Sequence, residues 1–179
     1  RGIDEITPEV VINAAAYTAV DQAEQDTEIA FSVNGDGPGN LAHALARRDG
    51  RLIQVSTDFV FSGESGRPYE PEAPTGPESV YGASKLQGEQ AVLAETLNKA
   101  LILRTGWVYS SHGSNFVKTM LRLIAERDDI SVVADQIGTP TWAMDLAKAI
   151  WHLAERTDMQ GIFHWTNEGI ASWYDFAVA

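Results

Sequence analysis

The chain has 179 residues, of which 44% are hydrophobic and 21% charged, which fits a globular protein with a core of useful size. Its formal net charge of -12 repels nucleic acid and anionic membrane, so neither is expected as a partner, and an anionic ligand needs local basic groups or backbone N–H donors. There is no cysteine, which excludes disulfides and thiolate metal sites and points to a reducing, cytoplasmic setting.

In chain order, residues 10–15 form a short apolar run, the mark of a strand buried on both faces. Residues 21–48 are polar with recurring apolar positions and read as mostly helix, interrupted or kinked by the glycines at 35, 37 and 39. Residues 52–55 read as a second buried strand, and residues 64–79, rich in Gly, Pro and Glu, as a loop. Helical spacing returns over 80–97, a third strand follows at 101–103, and a helix over 115–127, where Asn115 suits the cap. Residues 130–134 are expected to form a short strand, 144–156 a helix, 162–165 a last strand, and a helix opens at Ser172. The chain starts at Arg1 and stops in what reads as mid-helix, so a piece of a longer protein is expected.

Alternating strands and helices imply parallel βαβ units, an α/β fold with a doubly wound sheet. Ligands in such sheets bind beyond the carboxyl ends of the strands. Three polar clusters fall there: residues 13–18, Ser56-Thr57-Asp58 and Arg104-Thr105-Gly106-Trp107. On the following helix, Tyr81 and Lys85 are one turn apart and leave the same face. A phenol titrates near pH 10, and a neighbouring cation is expected to lower that value, which suits proton exchange at a carbonyl or sugar oxygen. The four histidines show no metal-ligand spacing. Asn13 reads as a backbone tie at the strand end, and Arg104 as paired within the fold.

The motifs NAAAYTAVD (residues 13–21), STDFVF (56–61), YGASK (81–85), RTGWVY (104–109) and NFVKTMLRL (115–123) stand in an order that resembles the extended short-chain dehydrogenase/reductase superfamily. Within it, the chain is similar to the dTDP-4-dehydrorhamnose reductase family. The resemblance implies NADPH- or NADH-dependent reduction of the 4-keto group of dTDP-4-dehydro-L-rhamnose to dTDP-L-rhamnose. It implies catalytic roles for Thr57, Tyr81 and Lys85, with Lys85 also on the nicotinamide ribose and lowering the pKa of Tyr81. Ala16, Tyr17 and Thr18, together with Tyr81 and Lys85, match cofactor-binding positions; Thr57, Asp58 and Trp107 match substrate-binding ones. It further implies a Rossmann-like dinucleotide-binding domain over residues 1–110 and a smaller substrate lobe over 111–179. Mg2+ and a homodimer are expectations carried by resemblance only.

One departure stands out: no glycine-rich phosphate loop occurs, because the glycines at 35, 37 and 39 follow no strand and have the wrong spacing. The fold is therefore expected to be an N-terminally truncated Rossmann fold, with the strand near Val10 left as an open edge for other residues or a second copy to cover. Two alternatives stay open: a non-catalytic sugar-nucleotide-binding or regulatory module, and an epimerase or dehydratase of the same superfamily.

Overall fold

A computed structural model describes residues 2–48, 50–97 and 99–179. Helix α1 (Gly2–Ile6) precedes strand β1 (Val10–Asn13), and helices α2 (Val20–Ala23), α3 (Thr27–Phe31) and α4 (Gly37–Ala46) follow. The glycine segment does not break the helical path. Residues Ser32–Asp36 form one π-helical turn that joins α3 to α4. Pro38 sits in the first turn of α4, directly after the π-helical turn.

Strand β2 (Arg51–Thr57) ends in a 3-10 turn (Asp58–Val60), and residues 62–79 run without regular structure to helix α5 (Val80–Glu95). Strand β3 (Leu101–Thr105) is buried along its whole length. Beyond it come β4 (Val108–Tyr109), α6 (Phe116–Glu126), β5 (Ile137–Gly138), β6 (Thr141–Trp142), α7 (Ala143–Glu155), β7 (Gly161–His164), β8 (Ala171–Ser172) and α8 (Trp173–Val178).

The main sheet has the order β1-β2-β3-β7, with β1 and β2 parallel and β3 and β7 parallel. The chain thus has the expected α/β, Rossmann-like architecture. Strands β2 and β3 are central, so apolar side chains cover both faces: Leu52 and Ile53 on β2, and Leu101, Ile102 and Leu103 on β3, are all buried. Ala42 and Leu45 of α4 and Val92 of α5 pack with Leu52, Ala100 and Ile102 as the core. Each large side chain there contributes about 1.5–3 kcal/mol by leaving water.

Strand β1 departs from the expectation of burial on both faces. Among the described residues it is an edge strand, and Ile12 keeps 36% of its surface exposed, because no strand pairs along its outer side. Residues 130–134 also differ, forming no strand. The Val133 carbonyl instead accepts the amide of Tyr174 in α8, while the two-residue strands take the ladder positions.

The chain forms two compact units. The first comprises residues up to Arg104 with His152–His164, and holds the main sheet. The second comprises Thr105–Trp151 with Trp165–Ala179, and holds the parallel pair β4/β6 and the antiparallel pair β5/β8. Among the described residues no helix is long and apolar enough to cross a membrane.

Candidate functional site

Thr57 closes β2 by capping the 3-10 turn: its Oγ1 accepts the Phe59 amide at 3.2 Å and donates to Asp58 Oδ1 at 3.1 Å. Helix α5 starts at a fixed point, since Ser79 Oγ accepts the Gly82 amide at 3.1 Å and Glu24 Oε1 accepts the Val80 amide at 2.8 Å. Tyr81 therefore lies in the first turn, its ring edge-on to Phe59 with centroids 5.5 Å apart. Gly82 is required here, because a Cβ would strike the Phe59 carbonyl. That close approach brings α5 onto the end of β2. One turn on, buried Lys85 donates from Nζ to the Val55 carbonyl at 2.7 Å.

The electrostatics differ from the expectation for the phenol. Burial pushes the Tyr81 pKa above its ordinary value; the Thr57 hydroxyl opposes this and the charge of Asp58 adds to it. The lysine expected to lower it is itself brought down to about 8 by burial, with Glu89 opposing. Crowding of its surroundings raises the Asp58 carboxyl, against stabilising hydrogen bonds from Thr57 and from the backbone N–H groups of Asp58 and Phe59. Asp58 still has a solvent-exposed side.

The segment holding Ala16, Tyr17 and Thr18 is tied to α5 by Asn34, a fully buried residue of the π-helical turn that sequence reasoning missed. Asn34 Oδ1 accepts the Tyr17 amide at 2.8 Å, while Nδ2 donates to the Tyr17 carbonyl and to Ser84 Oγ, each at 3.0 Å. Ser84 Oγ donates in turn to the Tyr81 carbonyl at 2.8 Å. The Tyr17 phenol is occupied, donating to Asp26 at 2.7 Å, so this residue offers backbone rather than its hydroxyl. Asn13 behaves as the sequence implies: it donates to Gln54 at 2.7 Å and accepts the Ala15 amide at 3.2 Å. The only sequence signal for Asn34 is its place beside the glycine segment.

Trp107 belongs to the second unit. Its backbone is left-handed, with φ of 52°, and its indole stacks on Trp173 with centroids 3.5 Å apart and planes 8° apart. A Cβ on Gly138 would strike the indole, and the Trp107 carbonyl accepts the Thr141 amide at 3.1 Å. Packing thus holds a bulky residue in a conformation it rarely adopts.

Lys85 carries three N–H donors and the Val55 carbonyl takes one, leaving donors for vicinal ribose hydroxyls. Ser56 Oγ, next to Thr57, is buried without a hydrogen-bond partner, and exposed Ala14 and Ala15 leave the end of β1 open to close approach. These residues fit the nicotinamide-ribose end of a dinucleotide; no phosphate loop accompanies them within the 179 residues. Among the described residues there is no cluster of three or more His, Asp or Glu side chains that could hold a metal.

A reductase named dTDP-4-dehydrorhamnose reductase from Aggregatibacter actinomycetemcomitans is 48% identical over 183 residues, covering 99% of this chain and 62% of its own length. A solved structure of a dTDP-4-dehydrorhamnose reductase from Clostridium acetobutylicum superposes with a TM-score of 0.94 at 45% identity, over 99% of this chain and 62% of that one. The reductase of that name from Bacillus anthracis, solved in complex with NADP, gives a TM-score of 0.94 at 44% identity with the same coverage. The chain therefore spans about 62% of the length of these relatives. The family described as the RmlD substrate binding domain matches residues 1–179, and this chain belongs to it.

Proposed function

We propose that the protein carrying this chain reduces the 4-keto group of dTDP-4-dehydro-L-rhamnose to dTDP-L-rhamnose in the cytoplasm, using NADPH or NADH. The observation that carries the reading is the close approach of α5 to the end of β2, where Thr57 lies: Tyr81 stands in the first turn of that helix against Phe59, and Lys85 is bonded to the Val55 carbonyl. The reductases of the same family at 44–48% identity support the substrate class.

When bound, the nicotinamide supplies a hydride. Tyr81 donates the proton that the emerging alkoxide requires; with its pKa raised by burial, the phenol stays protonated at neutral pH until the alkoxide forms. Thr57 turns its one hydroxyl proton from Asp58 to the same oxygen as negative charge builds there. Lys85 holds the ribose through its spare N–H donors and places a positive charge near the phenol, which stabilises the phenolate left behind. In this reading the backbone of Ala16, Tyr17 and Thr18 passes the cofactor, and Asp58 and Trp107 are assigned to substrate binding. The first unit serves the dinucleotide and the second serves mainly the substrate.

The test follows loss of NADPH absorbance by the intact natural protein with dTDP-4-dehydro-L-rhamnose. Turnover is expected, and Tyr81→Phe should cut it by at least about 100-fold while cofactor affinity stays within a few-fold. Full turnover in that variant removes Tyr81 from the mechanism; conversion of the sugar without oxidation of reduced cofactor replaces the reading with an epimerase or dehydratase.

A further inference from the structure

Glu89 follows Lys85 by one turn of α5, and the two are 2% and 4% exposed. Both Glu89 oxygens are engaged by Arg104 of β3: Nε donates to Oε1 at 2.9 Å and Nη2 to Oε2 at 2.7 Å. The remaining nitrogen, Nη1, donates to the Pro71 carbonyl at 2.9 Å. Pro71 lies in the segment that joins the Thr57 side of the site to the Tyr81 side. The guanidinium also sits 5.0 Å from the centroid of Phe61, which stacks on Tyr69 of the same segment at 4.3 Å. One side chain thus fastens a helix, a strand and a loop around the residues proposed to carry the chemistry.

Stability alone gives little reason for this pair. Removing two ions from water offsets most of their attraction, and a well-packed apolar pair holds a fold at least as well. What an apolar pair cannot supply is a fixed negative charge one turn from a buried ammonium. The charged and titratable groups on the elements packed against Lys85 are Tyr81 and Glu89 on α5, Asp58 in the turn after β2, and Arg104 of β3, which is bonded to Glu89. Among them Glu89 opposes the effect of burial on Lys85.

We propose that Glu89, oriented by Arg104, is a positioning residue of the proton-transfer site: it supplies the fixed counter-charge for the Lys85 ammonium, and Arg104 couples that carboxylate to the Pro71 loop. The inference rests on the ketoreductase reading, yet its test does not require turnover. Lys85 is titrated by heteronuclear NMR in the intact natural protein and in the double variant Glu89→Gln/Arg104→Met, which leaves no unpaired buried charge. The lysine signal is assigned by its loss in Lys85→Arg. Lys85 is expected to titrate measurably lower in the folded double variant, because Glu89 supports its charged form. An unchanged titration there overturns the role of Glu89.

Arg104→Lys is the second arm and keeps the positive charge. It removes the two-pronged grip and the bond to Pro71, so the Lys85 titration should move little. The Gly76 amide, bonded to the Val60 carbonyl at 3.0 Å within the same loop, should exchange at least about tenfold faster. Unchanged exchange overturns the coupling to the loop. A purely structural pair would lower the melting temperature in both variants and leave the Lys85 titration of folded protein in place. Absence of turnover by the unsubstituted protein counts against the ketoreductase reading and leaves the titration result standing.

Discussion

The Lys85 ammonium meets the Val55 carbonyl at 2.7 Å, two residues before Thr57 on the same strand. This bond carries a helix cation to the end of the strand that supplies the hydroxyl. The lysine is 4% exposed, and its pKa falls to about 8 for that reason. The cation is therefore kept at a cost to stability.

That cost sets a pH dependence. The folded value of about 8 lies below the ordinary 10.5, so between these values the unfolded chain holds a proton that the folded chain has released. Stability contributed by this group rises with pH across that window, and the full cost is present below it. Lys85→Met is expected to stabilise the protein at neutral pH by up to about 3 kcal/mol, less about 1 kcal/mol for the lost hydrogen bond, with the gain shrinking toward pH 10. Urea denaturation at both ends of the window checks it; a variant less stable at neutral pH would show that the ammonium is not a burden. Turnover should be lost in the same variant.

Two substitutions should move the Tyr81 phenol in opposite directions. Thr57 lowers its pKa and Asp58 raises it, so Thr57→Val is expected to raise the value and Asp58→Asn to reduce it. The difference in ultraviolet phenolate titration between each variant and the same variant carrying Tyr81→Phe isolates this group. Shifts of the same sign in both would refute the assignment of causes.

Gly88 lies where α5 crosses the π-helical turn, and a Cβ there would strike the Asn34 carbonyl. Alanine normally gains about 1 kcal/mol over glycine inside a helix. Here Gly88→Ala is expected to destabilise by about 1–3 kcal/mol instead, because Asn34 must shift. Denaturation midpoints measure the loss, and faster exchange of the Tyr17 amide should accompany it, since that amide bonds to Asn34.

Gly138→Ala tests the aromatic core of the second unit. The added methyl meets the Trp107 indole, so the stacked Trp107–Trp173 pair must separate. The near-ultraviolet circular dichroism of the coupled indoles is expected to weaken substantially while the far-ultraviolet signal is retained. An unaltered near-ultraviolet spectrum would show that the stacked pair does not persist in solution.

Much of the fold was legible because its signals are local. Apolar runs mark β1, β2, β3 and β7, and the spacing over residues 80–97 marks α5. Residues 130–134 failed for a related reason: a β-like pattern says nothing about whether a partner strand is present, and the carbonyl of Val133 bonds to Tyr174. The glycines at 35, 37 and 39 read as an interruption or kink, and the form it takes, a π-helical turn, comes from tertiary packing. Gly35 there lies against the Gln87 side chain and Gly39 against Ala91.

The sequence by itself determined the α/β class and the stretches from which Thr57, Tyr81 and Lys85 come, since both follow from short-range periodicity and motif order. Only the tertiary structure decided the direction of the phenol's pKa, the hub at Asn34 and the clamp from Arg104 to Glu89 and Pro71. The physical reason is that burial and hydrogen bonding are sums over neighbours distant in the chain. Asn34 reaches Ser84 across 50 positions and Arg104 reaches Pro71 across 33, separations at which no local pattern specifies a partner.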